Sequence, residues 1–234
     1  MLMTLKVQTP PEASFACRRC GMGPFCPPNA PEPLRSRTLR VRKGALLHRA
    51  GDPCHELYAV HSGAFKRVLS DPEGRSVVSG FRFPGDILGI ESLADGRHSG
   101  DVVALEASEV CVLPLPRIGG NASAREMQAQ MLRLLAATLV DREAASLACA
   151  TLGATARVAD FLARLSRRFA ARELDAARLR LPMSRSDIAA FLSLTPETVS
   201  RAFSRLESDD IIRVSARNLE ILDAAALAAK RSEN

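Results

Sequence analysis

Met183-Ser184-Arg185-Ser186-Asp187-Ile188-Ala189-Ala190-Phe191-Leu192, then Ser193-Leu194-Thr195, then Pro196-Glu197-Thr198-Val199-Ser200-Arg201-Ala202-Phe203-Ser204-Arg205-Leu206, is the stretch on which the architecture turns. Ser184 occupies an N-cap position, where its hydroxyl can accept a backbone N–H of the first helical turn. Thr195 can cap a second helix, Pro196 fits the first helical position because its missing N–H is not needed there, and Glu197 suits the positive end of the helix dipole. Two short helices joined by so tight a turn form a helix-turn-helix. On the second helix Val199, Phe203 and Leu206 recur at i, i+4, i+7 and predict a core-facing stripe. Glu197, Ser200 and Arg201 stand at i, i+3, i+4 on another face near the N-terminus, the part of a recognition helix that meets base edges in a major groove. There an Arg can bond O6 and N7 of guanine while a carboxylate accepts from the cytosine amino group, so the two can read a G·C pair. An ordinary exposed Glu197–Arg201 ion pair is the alternative.

Outward from this stretch, Ile211-Ile212-Arg213-Val214 and Leu219-Glu220-Ile221-Leu222, joined through Ser215-Ala216-Arg217-Asn218, predict a hairpin. A helix from Ala156 to Phe169 leads into the pair through a charged loop, so residues 153–234 read as a winged helix-turn-helix. Glycine is absent from Ser123 until Gly153, while Met127, Met131, Leu134, Leu135, Thr138 and Leu139 recur at helical intervals, which predicts one long helix over 121–152. Two uses fit its stripe: a dimer seam through Met131, Leu134, Leu135, Thr138, Asp141 and Arg142, or burial against the preceding domain. In a seam, Asp141 facing its symmetry mate would oppose dimerisation. Between Leu39 and Pro114, the turn signals Lys43-Gly44, Gly51-Asp52-Pro53, Ser62-Gly63, Asp71-Pro72-Glu73-Gly74, Pro84-Gly85-Asp86 and Asp95-Gly96 cut short apolar runs. Their spacing predicts an antiparallel β sandwich or barrel over 34–120.

At 234 residues and 47% hydrophobic content the chain can bury a real core without disulfides. No stretch approaches a membrane span and the start lacks a signal core, so a cytoplasmic protein with reduced thiols is expected. Cys17, Cys20 and Cys26 in Cys17-Arg-Arg-Cys20-Gly-Met-Gly-Pro-Phe-Cys26, with Cys111 far downstream, therefore read as ligands for zinc or an iron–sulfur cluster. Cys54, beside His55, reads as a non-ligand thiol with an alternative ligand as the other use, Cys149 reads as a packed small residue, and His48, His55, His61 and His98 are scattered without a ligand-pair spacing. The net charge of +6 permits a polyanionic partner. Neither a glycine-rich phosphate loop nor a nucleophile elbow nor a paired-carboxylate motif occurs, which argues against an enzyme.

Cys17-x2-Cys20-x5-Cys26 ahead of the strand-rich region, Cys111 after its last turns, Gly51-Asp52 with Leu57-Tyr58-Ala59-Val60 and Ser62-Gly63, the Pro84-Gly85-Asp86 turn, Leu165-Ser166-Arg167-Arg168-Phe169 and Glu197-x-x-Ser200-Arg201 together resemble the Crp/Fnr family. Within this family of transcription regulators, the resemblance is to the branch with an N-terminal iron–sulfur cluster, and it spans nearly the whole chain. It implies an α+β fold. A cluster-binding segment at 1–33 precedes an antiparallel β-roll, the jelly roll of cyclic-nucleotide-binding domains, then a long dimerisation helix and the C-terminal winged helix-turn-helix. The resemblance further implies a 4Fe–4S cluster held by Cys17, Cys20, Cys26 and Cys111, which oxygen converts to 2Fe–2S. A homodimer would bind palindromic double-stranded DNA only while the cubane is intact, with Glu197, Ser200 and Arg201 reading each half of a TTGAT-N4-ATCAA-like site. RNA polymerase is the implied partner in regulation. A zinc or thiol redox switch acting on the same DNA-binding domain is the alternative. Cyclic-nucleotide-binding relatives carry an Arg-Ser/Thr pair for the phosphate, and Arg97-His98-Ser99-Gly100 does not match it in register, so cyclic AMP is not expected. Arg75 stands where the family's polymerase-contacting turn tends to carry an acid.

Overall fold

The computed structural model describes residues 7–8, 37–118 and 124–232; the N-terminal Cys17, Cys20 and Cys26 lie outside them. The strands of the first part are β1 (Val7–Gln8), β2 (Arg37–Val41), β3 (Leu46–His48), β4 (Glu56–Ser62), β5 (Phe65–Ser70), β6 (Ser76–Arg82), β7 (Ile87–Leu88), β8 (Asp101–Ala104) and β9 (Ser108–Pro114). They form two antiparallel sheets, ordered β1-β2-β9-β4-β7 and β3-β8-β5-β6, which is the expected β-roll. Gly63 shows why the turn signals had to be glycine. Its φ is +80°, and an added Cβ would lie 2.7 Å from the Ser108 Cα, so only a residue without a side chain can join β4 to β5 there.

Strands β4 and β9 are buried on both faces, which explains their nearly unbroken apolar runs. Tyr58, Val60, Val110 and Val112 point between the sheets, where they meet Leu47, Phe65 and Val102. Leu57, Ala59, Cys111 and Leu113 point the other way, because successive side chains alternate. There they pack with Cys54, Ile87, Ile90 and Met131, with Leu134 and the short helix α1 (Leu115–Ile118) closing the edge. Cys111 thus lies on the helix-facing side of the five-stranded sheet.

The long helix α2 runs Ala124–Thr151. The compact units of the chain divide within it, between Ala137 and Thr138. Its stripe serves more than one face. Met131 is 6% exposed and, with Leu134, packs into the first unit, the burial alternative, whereas Leu135 is 37% exposed. Leu139, Val140 and Leu147 are 59%, 64% and 64% exposed. Thr138, Asp141 and Arg142 are half-buried.

The second unit continues with α3 (Ala154–Ala170), β10 (Arg178–Arg180), α4 (Arg185–Leu192), α5 (Pro196–Ser208), β11 (Ile212–Ser215), β12 (Asn218–Ile221) and α6 (Ala224–Ala229). The hairpin forms as expected, but the charged loop before α4 contributes a third strand, giving the order β10-β12-β11. Leu179 anchors that strand at 1% exposure between two exposed arginines. Three residues are too few for a period-two pattern to register in sequence.

Candidate nucleic-acid interface and buried cysteine

Local chemistry fixes the helix-turn-helix before any ligand arrives. Ser184 Oγ accepts the Asp187 N–H at 3.0 Å and Asp187 Oδ2 accepts the Ser184 N–H at 2.9 Å, a reciprocal capping box. Helix α4 stops at Ser193, whose φ of 54° turns the chain left-handed, and Thr195 Oγ1 then caps α5 by accepting the Thr198 N–H at 3.2 Å. Val199, Ala202, Phe203 and Leu206 are buried against α3, α4 and the wing. The Arg185 guanidinium lies 3.4 Å above the Phe203 ring, closing that core with a cation over an aromatic face. The stripe predicted to face inward does so.

Glu197, Ser200 and Arg201 are all exposed on the first turns of α5. Ser200 Oγ donates to the Pro196 carbonyl at 2.9 Å, and Arg201 Nη2 donates to Thr198 Oγ1 at 3.2 Å. Arg201 is therefore held upright on its own helix rather than in an ion pair with Glu197. Hydrogen bonding by its own backbone N–H and then the Thr195 hydroxyl, with Arg201 nearby, holds the Glu197 carboxyl below its ordinary range, so it is charged at neutral pH. Behind this face a groove of about 610 Å³ is lined by Gly153 and Thr155 at the start of α3, by Thr198, Arg201 and Arg205 of α5, and by Lys230. Arg205 and Lys230 are both paired with Asp209, at 3.4 Å and 3.3 Å, and with Arg201 and a helix N-terminus beside them the concave surface keeps a net positive charge suited to a polyanion. The wing adds Arg213, which pairs with Glu220 at 3.0 Å, and the exposed turn at Ala216-Arg217.

In the first unit, Cys111 is 6% exposed on β9, with Ala59 and Thr38 as cross-strand neighbours, and is not in a disulfide. Cys17, Cys20 and Cys26, the other three candidate ligands, lie outside the described residues. Among the described residues no group of three or more His, Cys, Asp or Glu side chains is placed to hold a metal ion. Cys54 is buried beside Ser92 in the same core as Cys111, and burial pushes its thiol up. Cys149 Sγ donates to the Leu192 carbonyl at 3.6 Å.

One polar cluster escaped sequence reasoning. His48 and His98, fifty residues apart, stack with ring centroids 3.6 Å apart, and His98 Nδ1 stands 2.9 Å from Ser92 Oγ. Burial, then the neighbouring His98, lowers His48 to about 4. Beside them Arg67 is buried in contact with Glu91 and donates to Ser99 Oγ at 2.7 Å and Ser79 Oγ at 3.0 Å. Contacts that depend on a non-local turn leave no local pattern.

A β-roll, a long helix and a winged helix-turn-helix with charged residues exposed on its second helix define the class, a protein with a DNA-binding module joined to a β-roll. Residues 38–119 match the model of the cyclic nucleotide-binding domain and residues 156–230 that of the Crp-like helix-turn-helix domain. The transcriptional regulatory protein btr of Bordetella pertussis is 35% identical over 96% of this chain and 96% of its own length. The fumarate and nitrate reduction regulatory protein of Salmonella typhimurium is 31% identical over 91% of this chain and 89% of its own. The structure of FixK2 from Bradyrhizobium japonicum superposes with a TM-score of 0.74 at 28% identity, covering 82% of this chain and 95% of that one. The chain belongs to the Crp/Fnr family of transcription regulators, a family of DNA-binding proteins and not of enzymes.

Proposed function

We propose that the protein is an oxygen-responsive transcription regulator that binds palindromic DNA as a homodimer without oxygen and releases it in air. The observation that carries this reading is the placement of Cys111: its thiol shares one apolar core with Met131 and Leu134 of the long helix. Whatever displaces Cys111 is therefore transmitted by packing to that helix. The donor set fits an iron–sulfur centre, because it offers four thiols and the one described is buried among apolar side chains. Cys17, Cys20, Cys26 and Cys111 would hold a 4Fe–4S cluster, which when bound supplies reactivity toward oxygen that the chain's own side chains lack.

The exposed face of α2, with Leu132, Leu135, Leu139, Val140 and Leu147, supplies an apolar surface for a second copy. Two recognition helices would then present Glu197, Ser200 and Arg201 to the halves of a TTGAT-N4-ATCAA-like site. Cyclic AMP has no part in this reading. Arg97 is exposed and donates to the Gly51 carbonyl at 2.7 Å, and Ser99 is taken by Arg67. At the exposed turn 71–75 Arg75 is tied to Asp71 and Glu73, so a contact with RNA polymerase is not assigned to this turn. Among the described residues no helix is long and apolar enough to cross a membrane, in keeping with a cytoplasmic site of action.

The test is purification without oxygen, analysis of iron and acid-labile sulfide, and binding to a TTGAT-N4-ATCAA duplex before and after air. Four irons and four sulfides per chain, about 4 each, with binding lost in air, are expected. No iron or sulfide, with binding still lost in air, would replace this reading with a zinc or thiol redox switch, and binding indifferent to air would leave a winged-helix DNA-binding protein that answers to another signal.

A further inference from the structure

We propose that Arg157 is a positioning residue that fixes the angle between the long helix and the helix-turn-helix, and thereby the spacing of half-sites the protein accepts; this rests on the palindromic-dimer reading above. Its half-buried guanidinium spans two helix C-termini. Nε donates to the Leu152 carbonyl at 2.8 Å, where α2 has just ended, and Nη1 donates to the Leu192 carbonyl at 3.2 Å, on the last residue of α4. Both carbonyls lie at the negative ends of helix dipoles, where a cation is favoured. A rigid planar fork can hold two such acceptors at a set separation, which a flexible ammonium cannot.

Two further observations point the same way. Cys149, on α2 itself, also donates to the Leu192 carbonyl, so that oxygen is tied to the long helix directly and through α3. Arg157, Arg164 and Arg168 recur at i, i+7, i+11 and lie on one face of α3. Arg164 Nη1 donates to the Asp141 carbonyl at 3.2 Å, and Arg168 Nη1 stands 3.8 Å from the Asp141 carboxylate. Asp160, fully buried on α3, steadies this row through charge contacts with Arg164 at 2.8 Å and Arg231 at 2.7 Å. Helix α3 is thus gripped near Asp141 and again at Leu152, and Arg157 extends the second grip into the helix-turn-helix. Recognition helix α5 begins four residues after Leu192 through the fixed turn at Ser193. In a dimer joined along α2, the direction of each α5 passes through that carbonyl, so the separation of the two recognition helices depends on it.

Full-length, cluster-loaded protein is titrated without oxygen against duplexes carrying the same half-sites with spacers shortened or lengthened from N4, and against N4 duplexes with a substituted half-site. Wild type is expected to prefer N4. In Arg157→Gln that preference falls about tenfold, the size of one lost charge-assisted hydrogen bond, while discrimination against the substituted half-site is kept. A residue needed only for folding would weaken both together. Arg157→Lys keeps a cation and covers the case in which the glutamine variant does not fold; it is expected to relax spacing as well, since one ammonium cannot bridge both carbonyls. Unchanged spacer preference in a folded variant overturns the proposal. A wild type indifferent to spacing overturns the dimer reading itself, before any variant is made.

Discussion

Helices α5 and α2 divide their apolar residues in opposite ways. On α5 Val199, Phe203 and Leu206 are buried while Glu197, Ser200, Arg201 and Arg205 are exposed, so its apolar face is fully covered by its own chain. On α2 Met131 and Leu134 are covered, yet Leu132, Leu139, Val140 and Leu147 remain open. A helix with apolar residues on more than one face has more surface to bury than one contact can cover. The first pattern belongs to an element complete in itself, and the second is the one that the proposed dimer would complete with a second copy. Substitutions on the two helices should therefore part stability from assembly.

The largest expected effect is on α5. Phe203 is 2% exposed and carries Arg185 on its ring, so Phe203→Ala should cost about 3–5 kcal/mol of folding stability in the second unit, read by denaturant melts. Leu139→Asp should do the reverse. It should leave the melt of the monomer in air within about 0.5 kcal/mol, as open surface positions do, but should abolish the oxygen-free dimer by sedimentation and lower affinity for the palindrome by about a hundredfold, since one half-site then binds alone. A Leu139→Asp protein that stays dimeric would assign that face another purpose.

Much of this was open to reading in the sequence, and the reason is distance along the chain. Caps, the Pro196 start, the turn glycines and the i, i+4, i+7 stripe act within a few residues, so the helix-turn-helix and the β-roll could be predicted. Strand β10 could not, because its single anchor Leu179 finds its place only on β12. The use of Met131 was undecided for the same reason: a stripe shows that a face is apolar, not what covers it. The His48–His98 stack needed residues fifty positions apart. Its titration gives a check. His48 ionises near the ordinary value when unfolded and at about 4 when folded, so the unfolded chain takes up the proton first. Stability should be flat above pH about 6.5 and fall by roughly 3 kcal/mol as pH drops toward 4. His48→Phe should flatten that fall, and an unaltered acid limb would mean another group causes it.

On the recognition face the effect is smaller and confined to one base pair. Arg201 is exposed and supported by Thr198, so Arg201→Ala should leave folding intact, weaken specific binding about tenfold, and relax preference at a G·C position while other positions keep theirs. Uniform weakening across all sequences, with a lower salt dependence, would make Arg201 a phosphate contact instead.

Asp141 gives the finest division between the helices. In a bare seam its carboxylate would repel its symmetry mate, and Asp141→Ala would then yield a dimer that persists in air. The structure gives it partners in its own chain: Arg168 at 3.8 Å from the carboxylate, and Arg164 on its carbonyl. A carboxylate with a cation beside it presents much less charge to a mate across the seam. Removing it should therefore shift the monomer–dimer balance by less than about 1 kcal/mol, the scale of a partly exposed ion pair. Arg168→Ala separates the two roles, because it unmasks the carboxylate without removing it and should weaken the dimer where Asp141→Ala does not. An air-stable dimer from Asp141→Ala alone would show that repulsion across the seam outweighs the pairing within the chain.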